Sequence, residues 1–552
     1  MIYSASKSYH VPDIDLLSFL FDSQLCGAKE DTVLHVEASD PSNTITKSQA
    51  RDLTKNVAYN LRHTFGIGAN GPGKDVVVCI SSGKILLPIV LFGVVAAGGV
   101  YSSASATFTA AELSRQVIQG SSNLIFCSED AKDVAIKSAK ECGVSLNRVL
   151  VISSGKGKWG FRSVEGEQNC LGGEGILEWE RITDRKKLDN SLVCLLYSSG
   201  TTGVPKGVEL SHTNIVAQSF IPTMLYREAI TERIAQGEPP FEFRTVAHLP
   251  AAHIAGVMCY MINPFFFGGS VYWMPRFDFA QFLEYNKKFR ITFLFTVPPI
   301  WLLIAKIPNV TNQFDTLEMA ISGAAPLGKE LQHAASSKLG KGKTFISQTW
   351  GLSETTGSST IMPWGERDET GSVSPLLPNM SLRLVDDDGK DVGEGKPGEV
   401  WMKGPVVTTG YYKNLQATKD SFVDGWFCTG DIAIWKNGLP YIVDRKKELI
   451  KYKGIQVAPA ELEGLLLTHP KIMDAAVIGV EIPGTEAPRA YVVKSGDITE
   501  QEIKDFVKQH ASSHKQLRGG VVFLDVIPKS PSGKILRKDL RELARRDPRA
   551  KL

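Results

Sequence analysis

Short, nearly continuous apolar runs alternate with polar, helix-compatible stretches over the first two hundred residues. KDVVVCI (74–80), SNLIFCS (122–128), NRVLVIS (147–153) and SLVCLLYS (191–198) are the clearest of these runs. Runs that are apolar at consecutive positions predict strands buried on both faces, the pattern of an α/β architecture with a parallel sheet. The most apolar segment, Ile85–Val100, is short for a membrane span and is interrupted by Pro88 and three glycines, so it predicts a buried core helix. Residues 154–175 and 227–244 lack a clear period and predict surface excursions. From about residue 370 the texture changes. SLRLVDDDGKDVGEGKPGEVWMKGP (381–405) reads as short strands broken by Asp-Gly and Pro-Gly turns, a small β-subdomain. Beyond a basic stretch, RKKELIKYKG (445–454), a helix (458–470) and strands (474–482, 490–494) predict a separate α+β unit. The expected organisation is a large domain over 1–444, of mixed α/β sheets plus the β-subdomain, and a small mobile α+β domain over 445–552.

Composition narrows the function classes. A chain of 552 residues exceeds one ordinary core, and 43% apolar with 22% charged residues is the balance of a globular protein. With 62 basic against 59 acidic residues the net charge is +3, which gives no reason to expect a nucleic-acid or anionic-membrane partner. Eight cysteines form no C-x-x-C pair, which predicts neither a zinc site nor a disulfide framework and fits an intracellular setting. The N-terminus MIYSASKSYH has no signal-peptide core. The final Ala550-Lys551-Leu552 is similar to the S-K-L peroxisomal address, so a peroxisomal import receptor is an expected partner and peroxisome the expected location, otherwise cytoplasm.

One stretch carries unusual chemistry: YSSGTTGVPKGV, residues 197–208. A buried strand leads into hydroxyls and glycines ending on one lysine, and SHTNIVAQSF beyond it opens a helix with Ser211 as N-cap. Such a loop gathers backbone N–H groups around an anion. It is not a P-loop, because Pro205 stands where the helix should begin and Gly207 replaces the Ser or Thr after Lys206. GANGPGKD (68–75) is nearer in letters, yet its strand follows the loop and Asp75 replaces the hydroxyl; it predicts a surface turn.

Four further motifs follow in order: QTWGLSE (348–354), TGD (429–431), DRKKELIKYKGIQV (444–457) and PKSPSGKI (528–535). Together these five motifs resemble the adenylate-forming superfamily, over roughly residues 15 to 545. SGAAPLGKEL (322–331) and ELIKYKGIQVAPAELE (448–463) are most similar to the 4-coumarate–CoA-ligase-like members. The resemblance implies a two-step reaction. A carboxylate attacks the α-phosphate of ATP to give an acyl-adenylate and pyrophosphate, and the thiol of coenzyme A then displaces AMP. Two anions meet in the first step, so cations and backbone donors are required there.

The same resemblance implies roles for individual residues. Ser198, Ser199, Gly200, Thr201, Thr202, Gly203 and Lys206 would wrap the β- and γ-phosphates, and Glu354 would hold Mg²⁺. Trp350 would stack on adenine, Ser353 would keep a hydroxyl near the phosphates, and Gly323, Ala324 and Gly351 would border the nucleotide. Asp431 and Arg445 would reach the ribose. Lys534 would bridge the carboxylate and the α-phosphate, and Lys447 would be the hinge about which the small domain turns. Lys451 and Gln456 match residues of the adenylation and thioester steps, with Gly454 letting the backbone line the pantetheine tunnel. His253, Ile254, Gly323, Thr349 and Gly351 would border the acyl pocket. Thr349 departs from the family's usual Gly and would reshape that pocket. LPAAHIAG (249–256) contains no acid, which argues against an amino-acid substrate. Two other readings stay open at this level: an adenylating enzyme that loads a carrier protein, and a catalytically silent nucleotide-binding protein.

Overall fold

The computed structural model describes residues 1–198, 205–453, 455–530 and 533–546. Its largest sheet has seven strands, ordered Lys206–Ser211, Leu192–Ser198, Val100–Ser105, Val76–Ser81, Ile125–Ser128, Val149–Ser153 and Gly160–Ser163. The five inner strands run parallel and the two edges antiparallel. Every residue of Val76–Ser81 is buried, as a run apolar at consecutive positions requires of a strand covered on both faces. GANGPGKD is a turn leading into that strand, closed by the Asp75 carboxylate accepting from the Gly68 N–H at 2.7 Å.

Two expectations need correction, and one strand is an addition. Between the loop after Ser198 and the helix capped by Ser211 lies a strand that the sequence pattern did not predict. Residues 206–211 form an antiparallel strand with Lys206 opposite Ser198, and the helix His212–Ala235 starts only then. Val208 and Leu210 are fully buried, so this short alternation is stabilised by the core. Ser211 is the N-cap, in a reciprocal capping box with Asn214. That helix continues to Ala235, so residues 227–235 are helical, and Phe243 beyond it lies in the core. The Gly-rich stretch 154–175 is anchored rather than loose: Gly160–Ser163 is an edge strand, and Phe161 and Cys170 are fully buried. Two anchors that far apart leave no periodic signal.

The apolar segment at 85–100 forms the helix Leu87–Ala96, and among the described residues no helix is long and apolar enough to cross a membrane. It packs on the helix Lys47–Phe65 through Gly93, where an added Cβ would stand 2.5 Å from Val57 Cγ1. Three parallel strands, Phe293–Thr296, Met319–Ser322 and Ile346–Gln348, form a smaller sheet. The β-subdomain joins Ser381–Val385, Pro397–Lys403, Trp426–Lys436 and Leu439–Arg445, with Ile2–Ser4 as an unanticipated edge strand on Ser381–Val385. The C-terminal part has its own apolar core, from Ile450 to Val521, around Ile472–Ile482 and Thr485–Lys494. The chain is thus a large α/β body with a β-subdomain and a small α+β C-terminal domain.

Gly93→Val is expected to lower stability by about 1–3 kcal/mol through overpacking against Val57. Urea unfolding followed by circular dichroism reads this, and Val57→Ala in the same chain should recover part of the loss. Equal midpoints for Gly93→Val and wild type would show that the helix pair can relax.

Candidate active site

Three parallel strands aim their carboxyl ends at one place. After Phe293–Thr296 comes Val297, after Met319–Ser322 come Gly323 and Ala324, and after Ile346–Gln348 come Thr349, Trp350 and Gly351. Carboxyl ends of parallel strands are where open α/β sheets offer a crevice. Ala324 takes a left-handed backbone (φ 70°) at the turn, and Gly351 lies against the chain, since a Cβ there would stand 1.7 Å from the Gly357 carbonyl oxygen.

The first cluster centres on Trp350 and Asp431. The Trp350 Nε1–H donates to Asp431 Oδ2 at 2.8 Å, and its backbone N–H donates to Thr360 Oγ1 at 2.8 Å. Both residues are buried. Asp431 and Arg445 are opposite one another on neighbouring strands, with Arg445 Nε 3.4 Å from Asp431 Oδ1. Burial pushes the Asp431 carboxyl up from its ordinary range, while Arg445, Trp350 and Lys534 pull it down. The indole orientation is therefore set by a bond between distant parts of the chain.

The second cluster centres on Glu354, in the turn Ser353–Thr355, where Ser353 is half-buried. Glu354 Oε1 accepts from Ser198 Oγ at 2.9 Å and from Tyr411 Oη at 3.0 Å. Lys206 Nζ stands 5.0 Å from the centre of the Tyr411 ring. Burial, then the Glu354 charge, pushes the Tyr411 phenol well up, so it stays a donor. Sequence reasoning missed Tyr411, which lies in no motif with a chemical signature. Ser199, Gly200, Thr201, Thr202, Gly203 and Gly454 lie outside the described residues.

The Lys534 charge is felt by both clusters. Lys534 is half-buried, and loss of water lowers its ammonium pKa to about 8, with Arg445 acting the same way and Asp431 and Glu354 opposing. Its loop is seated on the large body, where a Cβ at Gly533 would lie 3.2 Å from Val297 Cγ2. Next to it, His253 caps the short turn Ile254–Gly256, its Nδ1 accepting from the Ala255 N–H at 3.3 Å. Desolvation first, and the Lys534 charge second, lower His253 to about 4, so the imidazole is neutral at pH 7. Ile254 is buried behind it.

His253 opens onto a small apolar cavity lined by Leu249, Pro250, Ala255, Phe295, Val297 and Ala324. Phe295 was not legible from any motif, yet its ring edge would lie 2.7 Å from a Cβ on Gly323. The Thr349 Cγ2 methyl lies 3.3 Å from the same point, while its hydroxyl donates to the Thr360 carbonyl at 2.6 Å. Thr349 thus turns its methyl toward Gly323 and Phe295 and satisfies its hydroxyl elsewhere. Lys451 and Gln456 are not in this buried cluster: both are exposed, opposite each other on the paired strands Ile450–Tyr452 and Ile455–Val457. Lys447 is exposed in the connecting segment.

Trp350→Phe keeps a ring but removes the donor to buried Asp431. The expected loss is about 1–3 kcal/mol of stability, read from the denaturant midpoint. An unchanged midpoint would show that water or Arg445 replaces the indole donor.

Residues 22–412 match the AMP-binding enzyme family and residues 461–534 its C-terminal domain. A putative acyl-coenzyme A synthetase of Emericella nidulans is 51% identical, covering 99% of this chain and 98% of its own. A phenylacetyl-CoA ligase of Aspergillus niger is 34% identical, covering 98% and 99%. Among solved structures, ATP-bound MatB from Rhodopseudomonas palustris aligns with a TM-score of 0.81 at 25% identity, over 96% of this chain and 99% of that one. The chain belongs to the AMP-binding enzyme family, as an acyl-CoA synthetase of the adenylate-forming superfamily.

Proposed function

We propose that this synthetase activates an apolar carboxylic acid, aryl or fatty, as its adenylate and passes the acyl group to coenzyme A. The observation that carries this reading is the Lys534 loop seated on Val297, which lines an apolar cavity with His253, so that the ammonium feels Arg445, Asp431 and Glu354 together. In the first step Lys534 would stand between the carboxylate and the α-phosphate, neutralising charge as the two anions approach. Ser198 and Lys206 would contact the outer phosphates, Asp431 and Arg445 the ribose, and the Trp350 ring the base. His253, neutral, would donate or accept a hydrogen bond at the carboxylate end. The apolar wall of Phe295, Val297 and the Thr349 methyl offers no partner to a charged acyl tail, which favours aryl and alkyl acids.

Magnesium fits the donor set. Glu354 is a single buried carboxylate, and among the described residues no group of three or more His, Cys, Asp or Glu side chains converges to hold a metal unaided. That suits a cation which takes one carboxylate and completes its shell from phosphates and water. Bound there, Mg²⁺ would neutralise phosphate charge.

We place the domain boundary at 444–447, with Lys447 as pivot. The Lys446 N–H donates to the Gly430 carbonyl at 2.9 Å, and its ammonium lies 2.8 Å from Asp387 and 3.0 Å from Glu399, so the chain up to Lys446 is held by the large body. Glu448 already bonds Arg541 of the small domain. Turning there would withdraw Lys534 and bring the Lys451–Gln456 hairpin to the acyl-adenylate for the thioester step. Ala550-Lys551-Leu552, outside the described residues, supports a peroxisomal location through an import receptor.

Acid-dependent pyrophosphate release across aryl, medium-chain and long-chain acids, with and without free coenzyme A, tests the reading. At least one apolar acid should support acyl-CoA formation; adenylate without coenzyme A consumption would indicate another acceptor, and no acid-dependent release would end the proposal. Lys534→Ala should abolish most pyrophosphate release while sparing thioester formation from supplied acyl-adenylate. In wild type, kcat/KM for the first step should fall as pH rises through about 8, because Lys534 loses its proton there. A flat profile would separate Lys534 from the charge requirement.

Location is read separately. A fluorescent fusion that keeps the last three residues free at the C-terminus should concentrate in peroxisomes, and removing those three should disperse it. Diffuse signal with the tail intact would reject the address.

A further inference from the structure

One buried side chain fastens the large body to the part of the small domain that carries Lys534. Asp444, at the end of the strand Leu439–Arg445, is 8% exposed. Its Oδ1 accepts from the Arg445 N–H at 2.7 Å. Its Oδ2 crosses to the small domain and accepts from the Ala460 N–H at 3.0 Å, in the first turn of the helix Pro459–Leu467. A helix's first N–H groups have no partner within the helix, and a carboxylate satisfies one of them and complements the dipole. The Arg537 charge, acting without an ion pair between the two side chains, offsets part of the cost of burying the Asp444 carboxylate.

Arg537 is well placed to transmit this anchoring. It opens the helix Arg537–Arg546, close after Lys534 in the chain. Its guanidinium is held by Glu463, at 2.9 and 3.0 Å from the two carboxylate oxygens, and lies near Glu448. Glu463 in turn accepts from the Val477 N–H at 2.8 Å, inside the small domain's sheet. Asp444 therefore meets a rigid, internally paired unit. Because the backbone up to Lys446 is bonded to the large body, the bond from the Ala460 N–H to Asp444 must break, and Arg537 must move away from the carboxylate, when the small domain turns.

We propose that Asp444 is a positioning residue for the acid-activating step: through the Ala460 N–H, with the Arg537 charge offsetting its own, it holds the small domain where Lys534 stands in the field of Glu354 and Asp431. It touches no reacting atom, and the thioester step proceeds with it released. The proposal rests on the two-step reading given above.

The test compares Asp444→Ala and Asp444→Asn with wild type in the two half-reactions. Pyrophosphate exchange should fall by about 10- to 100-fold in Asp444→Ala and less in Asp444→Asn, which keeps an acceptor for Ala460. Thioester formation from supplied acyl-adenylate should be unchanged or faster. Equal losses in both steps, or no loss in either, would overturn the role. Hydrogen exchange gives a second readout that needs no substrate. Amides at 460–463 and 533–537 should exchange faster in Asp444→Ala, while those of Ile472–Ile482 keep wild-type protection. Unchanged exchange at 460–463 would overturn the contact, and lost protection at 472–482 would reduce it to a folding effect. A wild-type chain inactive with every acid would count against the functional reading, whereas the exchange result judges Asp444 alone.

Discussion

An ammonium group half-removed from water, in the field of two carboxylates, is the constraint on which the site depends. Lys534 sits with its pKa lowered to about 8, desolvated and pushed by Arg445, yet kept charged at pH 7 by Asp431 and Glu354. Such a group stays where it is only if its surroundings are held in place, because each partner lost raises the cost of burying the rest. Those surroundings come from three distant regions. Asp431 and Arg445 lie on paired strands of the β-subdomain, Glu354 on a turn after the three-stranded sheet, and Lys534 on the small domain. The charges are brought together by the docking of one folded body on another.

The apolar side of the site is controlled by contact distance. Gly323 has no room for a Cβ beside the Phe295 ring, and Gly351 none beside the Gly357 carbonyl. Thr349 turns its methyl toward Gly323, and its hydroxyl is satisfied by the Thr360 carbonyl. A buried hydroxyl without that acceptor would cost about 1–3 kcal/mol. The Thr349 side chain is thus accommodated locally, with its methyl turned toward Gly323 and Phe295.

Much of the architecture was legible because its causes are local. Buried parallel strands announce themselves as consecutive apolar residues, and the Ser211 cap lies within one turn of the Asn214 that answers it. The misreadings share a cause as well. The strand Lys206–Ser211 is too short to show a period, and the stretch 154–175 hides Phe161 and Cys170 among glycines. Ile2–Ser4 is ordered only by a partner strand beginning at Ser381.

The sequence by itself determined which chemical groups the protein possesses and in what order, and hence the family and the class of reaction. It also determined the local elements, because propensity, capping and burial pattern act between near neighbours. Tertiary structure alone decided which groups meet. The bond from Trp350 to Asp431, the Tyr411 hydroxyl on Glu354, Phe295 against Gly323, and Asp444 on the Ala460 N–H join residues distant in the chain. No periodicity encodes such pairs, because their distances follow from how sheets and domains pack.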